Sequence, residues 1–315
     1  MPFEAIRVVC GLALSGALEN GHEDRRLGCA ILENLSAGDS EQAVQEVIES
    51  GVPGWLMDTA ERRTGSNVLG RRSALRALSN LLAGTDDQAT LLLQQYPRIP
   101  SFLRGLLEDK QLKRDALFAA SNLSVGTRLH VRALRRQKLW PKVCVALSAE
   151  SEPMEVRREA LVVVANVVCR QDAEGEDQLV DESMYVCFRK RMCVRCHASA
   201  ADGRHLLEAG AWVGVCALLQ AKESAVLLRA MAALHGLLRM ARLRKRDADL
   251  RLKIEQCGGL SWLEFAQRHA SQAVYARAHA LLCDFFEIEA SAAHTAPFID
   301  WFPAPPPKVL TDKFI

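Results

Sequence analysis

LRALSNLLAG (residues 75–84) and FAASNLSVG (residues 118–126) share an apolar helical segment, an asparagine, and a glycine four residues after it. CAILENLSAG (29–38) has the same arrangement, VVVANVVCR (162–170) keeps the asparagine, and AALHGLLRM (232–240) has glycine in its place. The asparagines, which lie 46, 42 and 44 residues apart, are Asn34, Asn80, Asn122 and Asn166. A unit that recurs with this period cannot bury its apolar face alone, so the chain is predicted to be an array of stacked helical repeats.

Breakers divide each unit into three helical segments. In the second unit, glycines and a proline at 51–54 end a first segment (40–49), and a longer third segment (71–83) stops at Gly84. Glycine and proline are the usual stop signals of helices. Three helices per unit and a period of 40–47 residues are typical of armadillo repeats. The predicted fold is therefore all-α, a right-handed armadillo superhelical solenoid.

The repeats also predict the domain organisation. One solenoid of about six repeats is expected over residues 1–287, with an insert at 171–204 that breaks the repeat period. The remaining segment, 288–315, is rich in proline and is expected to be an extended or disordered tail.

Composition and charge limit the possible functions. The chain has 315 residues, a formal net charge of +2 and 25% charged residues. This is far from the strongly basic footprint of a dedicated nucleic-acid binder, so no nucleic-acid partner is expected. No run reaches 18 apolar residues, so no membrane association is expected. The ten cysteines lie mostly at apolar positions, which indicates reduced thiols in a cytoplasmic or nuclear protein.

Catalytic motifs are missing from the sequence. It contains no phosphate-binding glycine loop followed by lysine, no nucleophile elbow and no H-E-x-x-H zinc motif. The sequence therefore predicts no enzyme activity and no cofactor.

The insert contains a weak candidate for a metal site. Its second half reads CFRKRMCVRCH (187–197), in which Cys193, Cys196 and His197 match the C-x-x-C-H pattern of haem attachment. Together with Cys187 they could also form a zinc ligand set, although such sites normally have a second closely spaced pair. Covalent haem attachment needs an oxidising compartment, for which there is no export signal. The alternative interpretation is an exposed insert without metal.

The last repeat resembles a known family. IEQCGGL (254–260) is followed by WLEFAQRH (262–269) and VYARA (274–278), and this succession closely resembles the C-terminal repeat of importin-α, the adaptor that recognises nuclear localisation signals. The segments around Asn80 and Asn122 are similar to its other helix ends. The resemblance covers most of residues 24–287, which correspond to roughly the C-terminal six repeats of that family.

The resemblance implies a peptide-binding groove lined by the third helices. In the family, asparagine pairs with the peptide backbone, tryptophan four residues earlier holds lysine and arginine stems, and acidic residues neutralise their charges. The positions that match are Asn34, Asn80, Asn122 and Asn166 for asparagine, Asp115 and Glu159 for the acidic residues, and Phe118 as the one aromatic replacement for tryptophan. Elsewhere the tryptophan position holds Ala30, Arg76, Val162 and Ala232. Arginine there would repel a basic peptide.

The resemblance, together with the family residues that this sequence lacks, leaves two main hypotheses for the function. The leading hypothesis is an importin-α-like adaptor in the cytoplasm and nucleus, with protein cargo in the groove and a nuclear export receptor at residues 254–287. The basic importin-β-binding segment is absent, which argues against importin-β as a partner. The alternative is an armadillo scaffold that has lost cargo transport, in which the asparagines only bond or cap helices. A metal-binding regulator built on the insert is a third possibility.

Overall fold

The computed structural model describes residues 2–15, 22–38, 40–62, 68–169 and 200–286. The predicted tail (288–315) and nearly all of the predicted insert (171–204) lie outside these ranges. Within the described part, all regular secondary structure is helical. The helices are α1 (Pro2–Leu14), α2 (His22–Ser36), α3 (Glu41–Glu49), α4 (Val52–Glu61), α5 (Val68–Leu82), α6 (Asp86–Gln95), α7 (Ile99–Leu106), α8 (Lys113–Val125), α9 (Arg128–Arg136), α10 (Leu139–Ser148), α11 (Met154–Val168), α12 (Ala200–Glu208), α13 (Ala211–Leu218), α14 (Ser224–Arg242), α15 (Asp247–Gln256), α16 (Gly259–Ala266) and α17 (Gln272–Phe286).

These helices form repeating groups of three. From α3 to α17, each group has two short helices followed by a third that is the longest of the three. Helices α1 and α2 precede the first complete group. The third helices α5, α8, α11, α14 and α17 lie side by side in chain order, with α2 packed against α5 in the same way. Helix α12 begins at Ala200, within the last residues of the predicted insert.

Local sequence explains where many of these helices start. Ser40 caps α3 by accepting a hydrogen bond from the Ala43 backbone N–H, and Thr85 caps α6 in a reciprocal pair with Gln88. The turn from first to second helix uses a left-handed residue in four groups: Gly51, Lys138, Gly210 and Gly258. Glycine adopts this conformation without a Cβ clash, which explains three of the four.

Aromatic residues near the start of the second helices anchor the core between repeats. Trp140 is 1% exposed and Phe102 is 4% exposed, while Trp212 and Trp262 are partly buried against the core. Trp55 is also buried and lies beneath the Arg25 guanidinium, whose carbon is 5.1 Å from the ring centroid. A buried aromatic side chain contributes more apolar area than any aliphatic one, so a single residue can link neighbouring repeats.

Helix α14 is long and apolar enough, by length and composition alone, to cross a membrane. However, 67% of its apolar stretch is buried inside the solenoid, where it packs on α11, α13 and α17. Its apolar character is therefore explained by its position as a core helix.

Candidate functional site

All seven residues of the predicted groove lie on one surface, hereafter the third-helix surface. It is formed by α2, α5, α8, α11, α14 and α17. Because consecutive third helices contact each other, their side chains form one continuous strip across the repeats. In a superhelical solenoid, the curvature between repeats makes such a strip an extended concave face.

The asparagines form a row along this surface, and their amide groups join adjacent helices. The side-chain N–H of Asn80 donates to the Glu33 carbonyl at 3.1 Å, and that of Asn122 donates to the Ser79 carbonyl at 3.0 Å. Asn166 donates to the Ser121 carbonyl at 3.1 Å. In each case, a serine hydroxyl on the same preceding helix accepts a further bond; these are Ser36, Ser79 and Ser124.

This row therefore has a structural role in joining successive repeats, whereas the sequence raised only the alternative that asparagine bonds or caps a helix. Each amide crosses to the third helix of the preceding repeat, not to its own helix. The carboxamide oxygens of Asn80, Asn122 and Asn166 accept no hydrogen bond from any described residue, which leaves them as acceptors for a peptide N–H. Asn34 is exposed, and no described third helix precedes its own.

Asn166→Ala is expected to lower the free energy of unfolding by about 1–2 kcal/mol, because it removes the amide donors from a buried contact between α8 and α11. Asn34→Ala is the matched control, with an expected change within about 0.5 kcal/mol. Chemical denaturation followed by circular dichroism measures both. Equal effects of the two substitutions would contradict the structural role of the row.

The fifth member of the row is Gly236, and the structure shows why it is not asparagine. A Cβ at this position would lie 2.7 Å from the Val168 carbonyl oxygen at the end of α11. Close backbone approach thus replaces the amide link between α11 and α14.

Asp115 is not available to a basic peptide because two arginines already bind it. Arg72 Nε lies 2.9 Å from one carboxylate oxygen and Arg76 Nε lies 3.2 Å from the other. The Asp115 side chain is only 5% exposed, so it lies beneath the arginines. The predicted repulsive residue Arg76 also lies 3.6 Å from a carboxylate oxygen of Glu33.

Glu159 occupies a different environment in the middle of α11. One of its carboxylate oxygens is buried and has no hydrogen-bond partner among the described residues. Burial raises the pKa of Glu159, and the nearby positive charges of Arg114 and Arg229 oppose part of that rise. The positive charges of Arg114 and Arg229 therefore already act on this carboxyl before a lysine or arginine of a ligand could approach it.

Paired basic residues on the third helices are a further feature, which the motifs of the sequence did not reveal. Nine and eight residues before each asparagine stand Arg25-Arg26, Arg71-Arg72, Lys113-Arg114 and Arg157-Arg158. The first member turns inward: Arg71 Nε donates to the Ala60 carbonyl at 2.9 Å and Arg157 Nε to the Leu147 carbonyl at 3.1 Å. The second member lies on the third-helix surface. The fixed distance from the asparagine was visible in the sequence, but the opposite roles of the two members were not.

Phe118 is half-buried on α8, between the positions of Asp115 and Asn122 along the same helix face. The equivalent positions in the next two repeats hold Val162 and Ala232, each 4% exposed. The structure thus offers one aromatic ring, not a series of slots, along this part of the surface.

The last repeat, where an export receptor was predicted to bind, presents two exposed aromatic side chains. Ile254 and Leu263 are fully buried, whereas Phe265 is 43% and Tyr275 37% exposed. The receptor site at 254–287 stays a prediction.

The metal candidates Cys187, Cys193, Cys196 and His197 lie outside the described residues. Within the described ranges, no group of three histidine, cysteine or acidic side chains is placed to hold a metal ion.

Comparisons with known proteins identify the fold. No protein-family model matches the chain, and no curated protein matches it. Solved structures do match. A designed armadillo repeat protein, YIII(Dq)4CqI, superimposes with a TM-score of 0.66 at 19% identity, over 89% of this chain and 99% of that one. Another, YIII(Dq.V1)4CPAF in complex with peptide (KR)4, has a TM-score of 0.65 at 20% identity with the same coverage.

The chain has an armadillo-repeat fold. These likenesses confirm the all-α armadillo solenoid predicted from the repeat period, and at such identities they show the fold alone.

Proposed function

We propose that this protein is a non-catalytic interaction module that binds an extended segment of a partner protein along the third-helix surface. The continuity of that surface is the observation that carries the proposal, because five consecutive helix contacts align equivalent positions from six third helices. The carboxamide oxygens of Asn80, Asn122 and Asn166 provide a row of acceptors with the spacing of the repeats. Arrays of this kind use their concave faces to bind extended ligands.

One structural neighbour supports this mode of binding. The designed protein YIII(Dq.V1)4CPAF is in complex with a peptide, (KR)4. A peptide can therefore be bound by a protein of this architecture.

The more specific proposal is an importin-α-like adaptor for nuclear import, present in cytoplasm and nucleus. The motifs of the last repeat and the asparagine row support it, and the receptor site at 254–287 belongs to it. The arginines around Asp115 and Glu159 weigh against simple basic signals as cargo. The alternative is an armadillo scaffold without a transport role. It would use the same surface but would not need to bind a basic signal there.

Selection from a random twelve-residue peptide display library tests the general proposal. Selected peptides are synthesised and titrated against the protein and against Arg114→Ala/Phe118→Ala, which is expected to weaken binding at least tenfold. The matched control is Arg128→Ala/Leu129→Ala, which alters an exposed arginine and an exposed apolar residue on α9. A library without binders, or binders that both double variants affect equally, would refute the proposal.

A further inference from the structure

The third-helix surface carries more arginine than acidic side chains. Three positions on each of α5, α8, α11 and α14, hereafter the rows, lie eight, seven and four residues before the asparagine position. These rows contain two acidic residues, Asp115 and Glu159. The same rows contain five arginines, which are Arg72, Arg76, Arg114, Arg158 and Arg229. Two further carboxylates reach this set from outside the rows: Glu33 pairs with Arg76 and Glu223 with Arg158.

At the surface that a ligand would meet, the excess of arginine over acidic side chains is larger still, because the arginines are more exposed than the aspartate. The Asp115 side chain is 5% exposed, whereas Arg72 and Arg76, which cover it, are 33% and 38% exposed. A ligand therefore meets guanidinium groups, while the aspartate beneath them fixes their positions. Arginine held in this way loses less conformational freedom when it binds a second anion.

Two of the arginines have no anionic partner at hydrogen-bond distance among the residues that the structure describes. Arg114 is exposed and Arg229 is half-buried, and neither forms a hydrogen bond or close ion pair with any residue in the described ranges. Both act on Glu159 only through longer-range attraction. A ligand carboxylate could pair with either guanidinium group bidentately.

We propose that the third-helix surface binds an extended acidic peptide, whose carboxylates pair with Arg76, Arg114 and Arg229. This rests on the proposed function and specifies its ligand. Asn122 and Asn166 supply carboxamide oxygens for the peptide N–H groups beside those arginines. The charge pattern is the reverse of the one that a basic localisation signal requires.

Calorimetric titration with three unlabelled peptides, (Glu-Asp)4, (Lys-Arg)4 and (Gly-Ser)4, tests this at 150 mM NaCl. The acidic peptide is expected to bind with a dissociation constant at least tenfold lower than either of the others. Arg76→Gln/Arg114→Gln is expected to weaken it at least tenfold. The control Arg128→Gln/Arg132→Gln removes the same charge from exposed positions on α9 and is expected to change it less than twofold.

Three results would overturn the proposal: tighter binding of (Lys-Arg)4, equal weakening by the two double variants, or no binding of (Glu-Asp)4. Arg114→Gln alone guards against misfolding, because this exposed side chain forms no hydrogen bond or close ion pair with any described residue. It should weaken binding severalfold. If library-selected peptides of other composition bind while (Glu-Asp)4 does not, only the acidic specificity fails. If neither binds, the proposed function fails as well.

Discussion

Gly236→Ala is expected to lower the free energy of unfolding by about 2–3 kcal/mol, because there is no room for a methyl group between α11 and α14. Its Cβ would lie 2.7 Å from the Val168 carbonyl oxygen and 2.8 Å from a Val168 side-chain methyl. The oxygen belongs to the last turn of a helix and cannot move without shifting the whole repeat. The strain should therefore separate α14 and the helices after it from the preceding repeats.

Gly105→Ala is the control, since no atom lies within 4 Å of its added Cβ. It lies in helix α7, where alanine is expected to leave stability unchanged or raise it by up to about 1 kcal/mol. Urea unfolding gives the overall change, and amide hydrogen exchange locates it. A Gly236→Ala protein as stable as the parent, with unchanged protection in α11 and α14, would show that the close approach is not real.

Arg71→Met is expected to lower the free energy of unfolding by about 3 kcal/mol, because it removes the Arg71 cation from a largely buried ion pair. Arg71 lies 2.6 Å from an oxygen of Asp109, and the two side chains are only 10% and 11% exposed. Its Nε also donates to the Ala60 carbonyl at the end of α4. The substitution therefore removes a contact that joins α4 and α5 to the turn between α7 and α8.

The neighbouring residue provides the control for Arg71. Arg72→Met should change stability by less than about 1 kcal/mol, because Arg72 is partly exposed and Asp115 keeps Arg76 as a partner. Thermal and urea unfolding measure both variants. A second substitution, Asp109→Leu in the Arg71→Met background, should recover part of the loss, since it removes the largely buried negative charge. Equal effects at positions 71 and 72 would contradict the inward and outward roles of the pair.

The repeat period and the helix breakers determined the fold from sequence. Spacings of 46, 42 and 44 residues leave few architectures open, and glycine at 51, 210 and 258 marks three of the turns that the structure contains. Such signals are local, because a turn or cap depends on the conformation of a few neighbouring residues. The row of asparagines could be recognised from the sequence for the same reason, because each asparagine lies in a short recurring motif.

Only the tertiary structure decided what the repeated asparagines and the arginines beside them bind. Asn122 bonds to Ser79, and Asp115 to Arg72 and Arg76, across 39 to 43 residues of sequence. Such contacts depend on how one repeat stacks on the next, which a pattern within each repeat does not specify. Adjacent residues on a helix point about 100° apart, so Arg71 reaches the interior while Arg72 reaches the third-helix surface. The sequence alone therefore determined an armadillo solenoid with a repeated asparagine, and the stacking of its repeats decided that arginines dominate the surface beside it.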